Sequence, residues 1–260
     1  MIRTLALCFT AALAACGAAP SEQHDRTASQ AQTTAAPAQD GTVALFTTLP
    51  IYWPEGDVGD MLSGKAQEHW AKVALASRFD LVPLDTLSEI PTGATLLMAQ
   101  PRELSPDENV ALDTWVRTGG HVLMLVDPML ETESIYGLGD RRRPSATASL
   151  SPILNRWGLT MNLVPDAGEA HGEHAAHNVA WDGLVIPVES AGVLSAYGKG
   201  HDSKCTVAAK GLVAACAIGK GRTLVLADAT LLANGDGAGE GRDSLLLTLI
   251  DRANAGPPTP

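Results

Sequence analysis

Basic residues and aromatics are both scarce in this sequence. Lys and Arg total 18 against 29 Asp and Glu, a formal net charge of −11, and Tyr, Phe and Trp make up only 4%. Nucleic acid is excluded as a partner, because phosphate neutralisation needs a clustered basic face. The one basic run, Arg141-Arg142-Arg143, sits between an acidic residue and a proline and reads as a solvated loop. With so few aromatics, Ala, Leu and Val must fill the core, and a hydrophobic content of 45% is enough to build one. Long apolar runs are lacking too. The N-terminal run after Arg3 has about a dozen residues, which suits a secretory signal and is too short to span a bilayer. Neither GxxxxGK[ST] nor HExxH occurs. The Gly-Lys-Gly of residues 219–221 leads into a strand rather than a helix, so it reads as a tight hairpin and not a phosphate cradle.

That apolar run ends in Leu13-Ala14-Ala15-Cys16, which resembles the processing box of bacterial lipoproteins. The resemblance implies cleavage before Cys16, a diacylglyceryl thioether on its sulfur and a place in the bacterial periplasm. Gly17 in the next position favours the outer membrane over the inner. Residues 17–41 are mostly Ala, Ser, Thr, Gln and Pro, which cannot bury enough surface to offset their ordering entropy. A tether of that length would hold a domain roughly 25–30 Å from the membrane. The expected organisation is a signal at 1–15, a lipidated Cys and disordered tether at 16–41, one α/β domain at 42–253 and a disordered tail at 254–260.

Cysteine is rare as well, with four in the chain. Cys8 falls in the signal, which leaves Cys205 and Cys216 around "TVAAKGLVAA". A two-residue turn at Lys210-Gly211 pairs 209 with 212, and the same register sets Cys205 opposite Cys216. Opposed hairpin residues lie about 4.5–5.5 Å apart at Cα, within disulfide reach, and an oxidising compartment would close the bond.

From residue 42 strands and helices alternate. "TVALFTTL" (42–49), "FDLVPLD" (79–85), "ATLLMAQ" (94–100) and "HVLMLV" (121–126) are apolar runs of strand length, and "KAQEHWAKVALASR" (65–78) has helical spacing. Ser105 as N-cap, Pro106 in the first turn and Glu108 three residues on predict a capping box, with Gly119 and Gly120 stopping that helix. This order predicts a doubly wound, mostly parallel α/β sheet. The second half has a short helix at 149–159 and close-spaced strands at 159–164, 184–188, 193–197, 204–209 and 212–218, an antiparallel hairpin region. A strand in 219–232 and an amphipathic helix at 242–253 close the chain.

Ligands of such sheets bind outside the carboxyl ends of the strands. The segments there carry Tyr52 and Trp53 as stacking faces, Glu55, Asp57, Asp60, Asp127 and Asp228 as negative charge, and Arg102 as a lone cation. Together they could hold a cationic or sugar-like ligand or a partner's basic loop. Alternatively, Asp127 and Asp228 cap turns and residues 50–60 pack as a structured loop. A second candidate is "EAHGEHAAH", whose His171, His174 and His177 could bind Zn²⁺, Cu²⁺ or Ni²⁺, although a spacing of three places them poorly on one helical face.

Helix-Gly-Gly-strand-Asp-Pro over 105–128, then "LSPILNRWGL", "GKGRTLVLADATLLAN" and a Leu-rich last helix resemble the GldG-type auxiliary proteins of ABC transport systems. The resemblance covers roughly residues 94 to 253 and implies a flavodoxin-like sheet of the class I glutamine amidotransferase kind. Members commonly carry transmembrane helices, whereas this chain is expected to end soluble. Enzymes of that kind place a nucleophilic Cys just after the strand matching 121–126, where this sequence has Asp127-Pro128. The expected function is therefore a non-enzymatic, lipid-anchored periplasmic auxiliary domain whose partners are ABC permease or ATPase components or another envelope protein, with no cofactor. Two alternatives stand beside it: a hydrolase or transferase using the acidic crevice residues, and a transition-metal-binding protein using the His-rich tract.

Overall fold

The computed structural model describes residues 39–56, 59, 68–163, 176–198, 200–233 and 241–255, all within one compact unit, Pro37–Pro260. Cys16 with the signal and most of the tether, Asp57, Asp60, His171 and His174 lie outside the described residues.

The first half builds strands β1 (Thr42–Thr47), β2 (Asp80–Pro83), β3 (Thr95–Ala99) and β4 (His121–Leu125), with helices α1 (Trp70–Ala76) and α2 (Pro106–Arg117) between them. Helix α3 (Ser151–Trp157) leads to β5 (Leu159–Asn162), β6 (His177–Trp181), β7 (Leu184–Val188), β8 (Val193–Ala196), β9 (Ser203–Ala208), β10 (Val213–Ile218) and β11 (Gly221–Leu226). Helices α4 (Thr230–Ala233) and α5 (Arg242–Ala255) follow. The main sheet runs β2-β1-β3-β4-β11-β10-β9. Its first five strands are parallel, in the flavodoxin-like order, and β10 is antiparallel to both neighbours. The expected hairpin region is thus split. β9 and β10 extend the main sheet, while β5–β8 and β6–β7 form separate two-stranded ladders.

Uninterrupted apolar strands need cover on both faces, and both are covered. Val43, Leu45, Leu97 and Leu123 pack with α1, α4, α5 and the β6–β7 hairpin. Ala44, Phe46, Met98 and Met124 point the other way, onto α2, α3 and the β5–β8 pair. Trp157 heads the fully buried side chains of that second face. On the first face α5 lies across the centre of the sheet, burying Leu245, Leu246, Leu249 and Ile250. Its end is fastened by Asn254, which accepts from Thr95 Oγ1 at 2.8 Å, and by the Arg78–Asp251 ion pair at 2.9 Å. Among the described residues no helix is long and apolar enough to cross a membrane.

Local chemistry sets several boundaries. Ser105 Oγ accepts from the Glu108 amide and Glu108 accepts from the Ser105 amide, the expected capping box. Gly219, at φ +56°, allows the two-residue turn that pairs Ile218 with Gly221. Cys205 faces Cys216 in the β9–β10 register, and the two are joined in a disulfide with Cα atoms 4.0 Å apart. The turn is a 3-10 turn over Ala209–Gly211 rather than a two-residue one, and the register is the one expected. Closing so short a loop restricts the unfolded chain by about 3 kcal/mol.

Candidate functional site

A crevice opens at the carboxyl ends of β1 and β2, beside the point where strand order reverses between β1 and β3. It is about 470 Å³ in volume, and the residues that give it chemical character are Tyr52, Trp53, Glu55, Asp85, Tyr136 and Arg142. Tyr52, Trp53 and Glu55 were expected there from sequence. Asp85, Tyr136 and Arg142 were not.

The missed wall comes from a strap, residues 127–148, which runs from the end of β4 to α3 without regular structure. Glu55 clamps it to the β1 loop, with its carboxylate oxygens accepting from Ser134 Oγ at 2.7 Å and the Ile135 amide at 2.8 Å. Arg143 staples the strap internally by donating to the carbonyls of Tyr136 and Thr132. Arg142 pairs with Asp140 at 2.7 Å and lies 4.1 Å over the Tyr136 ring. Arg142 and Arg143 are therefore tied into the strap, while Arg141 and Arg142 keep the exposure expected of a solvated loop. Trp53, 68% exposed, stands edge-on to Tyr52, whose own face carries Lys72. The crevice offers an open indole, two cation-covered phenol rings and the Asp85 carboxylate, a surface suited to stacking and polar contacts.

Arg102 is not part of this lining. Its guanidinium forms a fork with both Glu108 oxygens at 2.7 and 2.8 Å, donates to the Asp85 carbonyl and covers Phe46. The bonds from Arg102 hold the Glu108 carboxyl well below the usual range, against the effect of burial. Arg102 thus locks the β3 exit to the start of α2. His177 sits on exposed β6, opposite Val188, and among the described residues no group of three His, Cys, Asp or Glu is placed to hold a metal ion.

Asp127 and Asp228 do not line the crevice; they follow β4 and β11. Asp127 has no exposed surface, and its Oδ1 accepts from the Met129 amide at 2.7 Å, which is the expected turn cap. Asp228, 2% exposed, accepts from the Thr230 amide at 2.8 Å and the Glu189 amide at 2.9 Å. Burial pushes the Asp127 carboxyl up to about 7 and the Asp228 carboxyl up to about 6. Gln100 ties this level together from a left-handed backbone at φ 40°. Its side chain accepts from the Asp127 amide and donates to the carbonyls of Asp127 and Ser145.

Comparison with known proteins places the crevice in a family context. Residues 47–168 match the family model for the auxiliary component described as "ABC-type uncharacterized transport system". No curated protein matches the sequence. Among solved structures, an "mmIFT52 N-terminal domain" aligns at TM-score 0.48 and 16% identity, covering 80% of this chain and 97% of that one. The E323A catalytic mutant of a GH42 beta-galactosidase from G. stearothermophilus aligns at 0.43 and 14%, covering 83% of this chain and 30% of the enzyme. A cytoplasmic protein from Salmonella typhimurium aligns at 0.42 and 11%, covering 71% of this chain and 87% of that one. Across the segment that builds the crevice, this chain is similar to the auxiliary family of ABC-type uncharacterized transport systems.

Proposed function

We propose that the chain is a non-enzymatic, lipid-anchored auxiliary protein of an ABC-type transport system, held in the periplasm through Cys16 and engaging its partner with the crevice loops. One observation carries the reading: every crevice-lining residue except Leu45 falls within the matched segment 47–168. Among the described residues, three of the acidic candidates for an enzymatic alternative are engaged elsewhere. Asp127 and Asp228 are buried as turn caps, and Glu55 spends both oxygens on the strap. The partner is expected to be a permease or ATPase subunit.

Crosslinking in cells followed by purification tests this directly. Wild-type protein should recover transport-system subunits, and Trp53→Ala should lower that recovery about tenfold or more, the scale of a central aromatic anchor. Equal recovery with the variant would remove the crevice from the interface. The anchor has its own test in membrane fractionation. Cys16→Ser should move the protein from the membrane to the soluble fraction, and a variant still sedimenting with membranes would rule out lipidation at Cys16.

A further inference from the structure

β4 and β11 pair in parallel with Leu125 opposite Leu226, and each continues two residues to an aspartate. The continued register brings Asp127 beside Asp228 at the floor of the strap. Each is the first residue of an Asx turn, with a carboxylate oxygen accepting from the amide two residues on. Asp228 commits its other oxygen to the Glu189 amide. Asp127 Oδ2 is buried without a well-formed hydrogen bond, although the Ala229 amide lies near enough to the carboxylate to favour its charged form.

The charged surroundings make this pair unusual. Asp228 faces Asp127 from the end of β11, and Glu189 faces both from the segment after β7. Gln100 from β3 and Thr230 from α4 are uncharged contacts, and Arg143 lies with Glu189 along a separate cleft under the strap. No cation of the described residues bonds to either aspartate. Two like charges in a dry site cannot both be retained without cost, and an orphaned carboxylate oxygen lacks the hydrogen that protonation would supply.

We propose that Asp127, with Asp228 beside it, forms a site for an exchangeable proton, and that this proton fastens the strap to the segment 189–192. The two segments meet here. Asp127 carries both ends of the strap, through the Met129 amide on its side chain and the Ala148 amide on its carbonyl. Asp228 and its neighbour Ala227 carry the other segment, through the amides of Glu189 and Gly192. Gly192 packs so closely on Pro128 that an added Cβ would fall 2.8 Å from the proline Cγ. When the proton leaves, the two carboxylates repel and the contact between these loops is the element free to separate. The strap carries Tyr136 and Arg142 into the crevice, so proton loss loosens one crevice wall.

The sign follows from the direction of the shifts. Burial first, then Asp228 and Glu189 in the case of Asp127 and Glu189 in the case of Asp228, raise the groups above their ordinary value of 3.8, so the folded chain binds a proton there more tightly than the unfolded chain. The fastening is therefore complete at low pH and lost as pH rises through the interval from about 6 to about 7.

Hydrogen exchange of the full chain at pH 5.5 and 8.5, corrected for intrinsic rates, tests the device. Amides of residues 128–148 and 187–192 should lose protection about tenfold or more at the higher pH, while β3 and β4 stay unchanged. Asp127→Asn should abolish that difference. Because this variant could misfold, carbon-13 NMR of the aspartate carboxyls in the wild-type chain gives a second measurement, and one of them should titrate near neutral pH. Strap protection that is identical at both pH values, or all aspartates titrating below pH 5, would overturn the proposal.

Discussion

Asp113→Ala should be among the most damaging single changes in the domain, lowering stability by about 3 kcal/mol in urea or thermal unfolding. Asp113 is a nearly buried carboxylate on α2 with three donors from two helices. Trp157 Nε1 bonds one oxygen at 2.9 Å, and Arg117 Nε and Arg156 Nε share the other. Burial alone would push the Asp113 carboxyl up, yet the donors from Arg117, Arg156 and Trp157 outweigh it and leave the group below its ordinary value. Alanine would orphan a fully buried indole N–H and release the arginine that also holds the carbonyls of His201 and Asp202. For a domain of this size the loss corresponds to a Tm drop of roughly 6–12 °C. Asp113→Asn keeps one acceptor for Trp157 and should recover about half. The pH trend here opposes that of the aspartate pair: stability from a depressed carboxylate is present above its unfolded value and lost as pH falls. A variant within about 0.5 kcal/mol of wild type would show that the network adds no net stability.

Gln100→Ala should cost a similar amount, about 3 kcal/mol, by leaving the Asp127 amide and the Ser145 carbonyl without the Gln100 bonds and the Asp127 carbonyl with the Ala148 amide alone. Glycine separates side chain from backbone. Gln100 sits at φ 40°, where a Cβ is strained, so Gln100→Gly should be about 1 kcal/mol more stable than Gln100→Ala. In an ordinary strand or helix the order is the reverse. Paired urea titrations of the two variants read this difference directly, and an alanine variant as stable as the glycine one would mean the backbone relaxes once the side chain is gone.

The parts of the fold read correctly from sequence are those set by short-range patterns. The capping box of Ser105 and Glu108, the opposition of Cys205 and Cys216, and the parallel strands with residues alternating between two covered faces all follow from spacing within one or two elements. The β6–β7 hairpin carried a signal that the metal-tract reading of His177 obscured. Asp182-Gly183 is a two-residue turn with both residues at positive φ, between strands that pair Trp181 with Leu184. The crevice was half legible. Tyr52, Trp53 and Glu55 lie just after a recognisable strand, whereas Tyr136 and Arg142 arrive through a strap folded on main-chain acceptors. The carbonyls that Arg143 binds carry no residue-type signature. Arg102 was legible as a cation but not as a paired one, because its partner Glu108 already had a role as a helix cap.

The last helix has a consequence for how the chain matures. α5 supplies the cover for the middle of one sheet face, and it comes after the eleven described strands in the sequence. A chain delivered N-terminus first lacks the cover over the middle of that face until residue 242 and those beyond have emerged. Early closure is therefore denied by the order of the segments rather than by any slow step. The Asn254 and Asp251 contacts act as a latch that only a fully delivered chain can fasten.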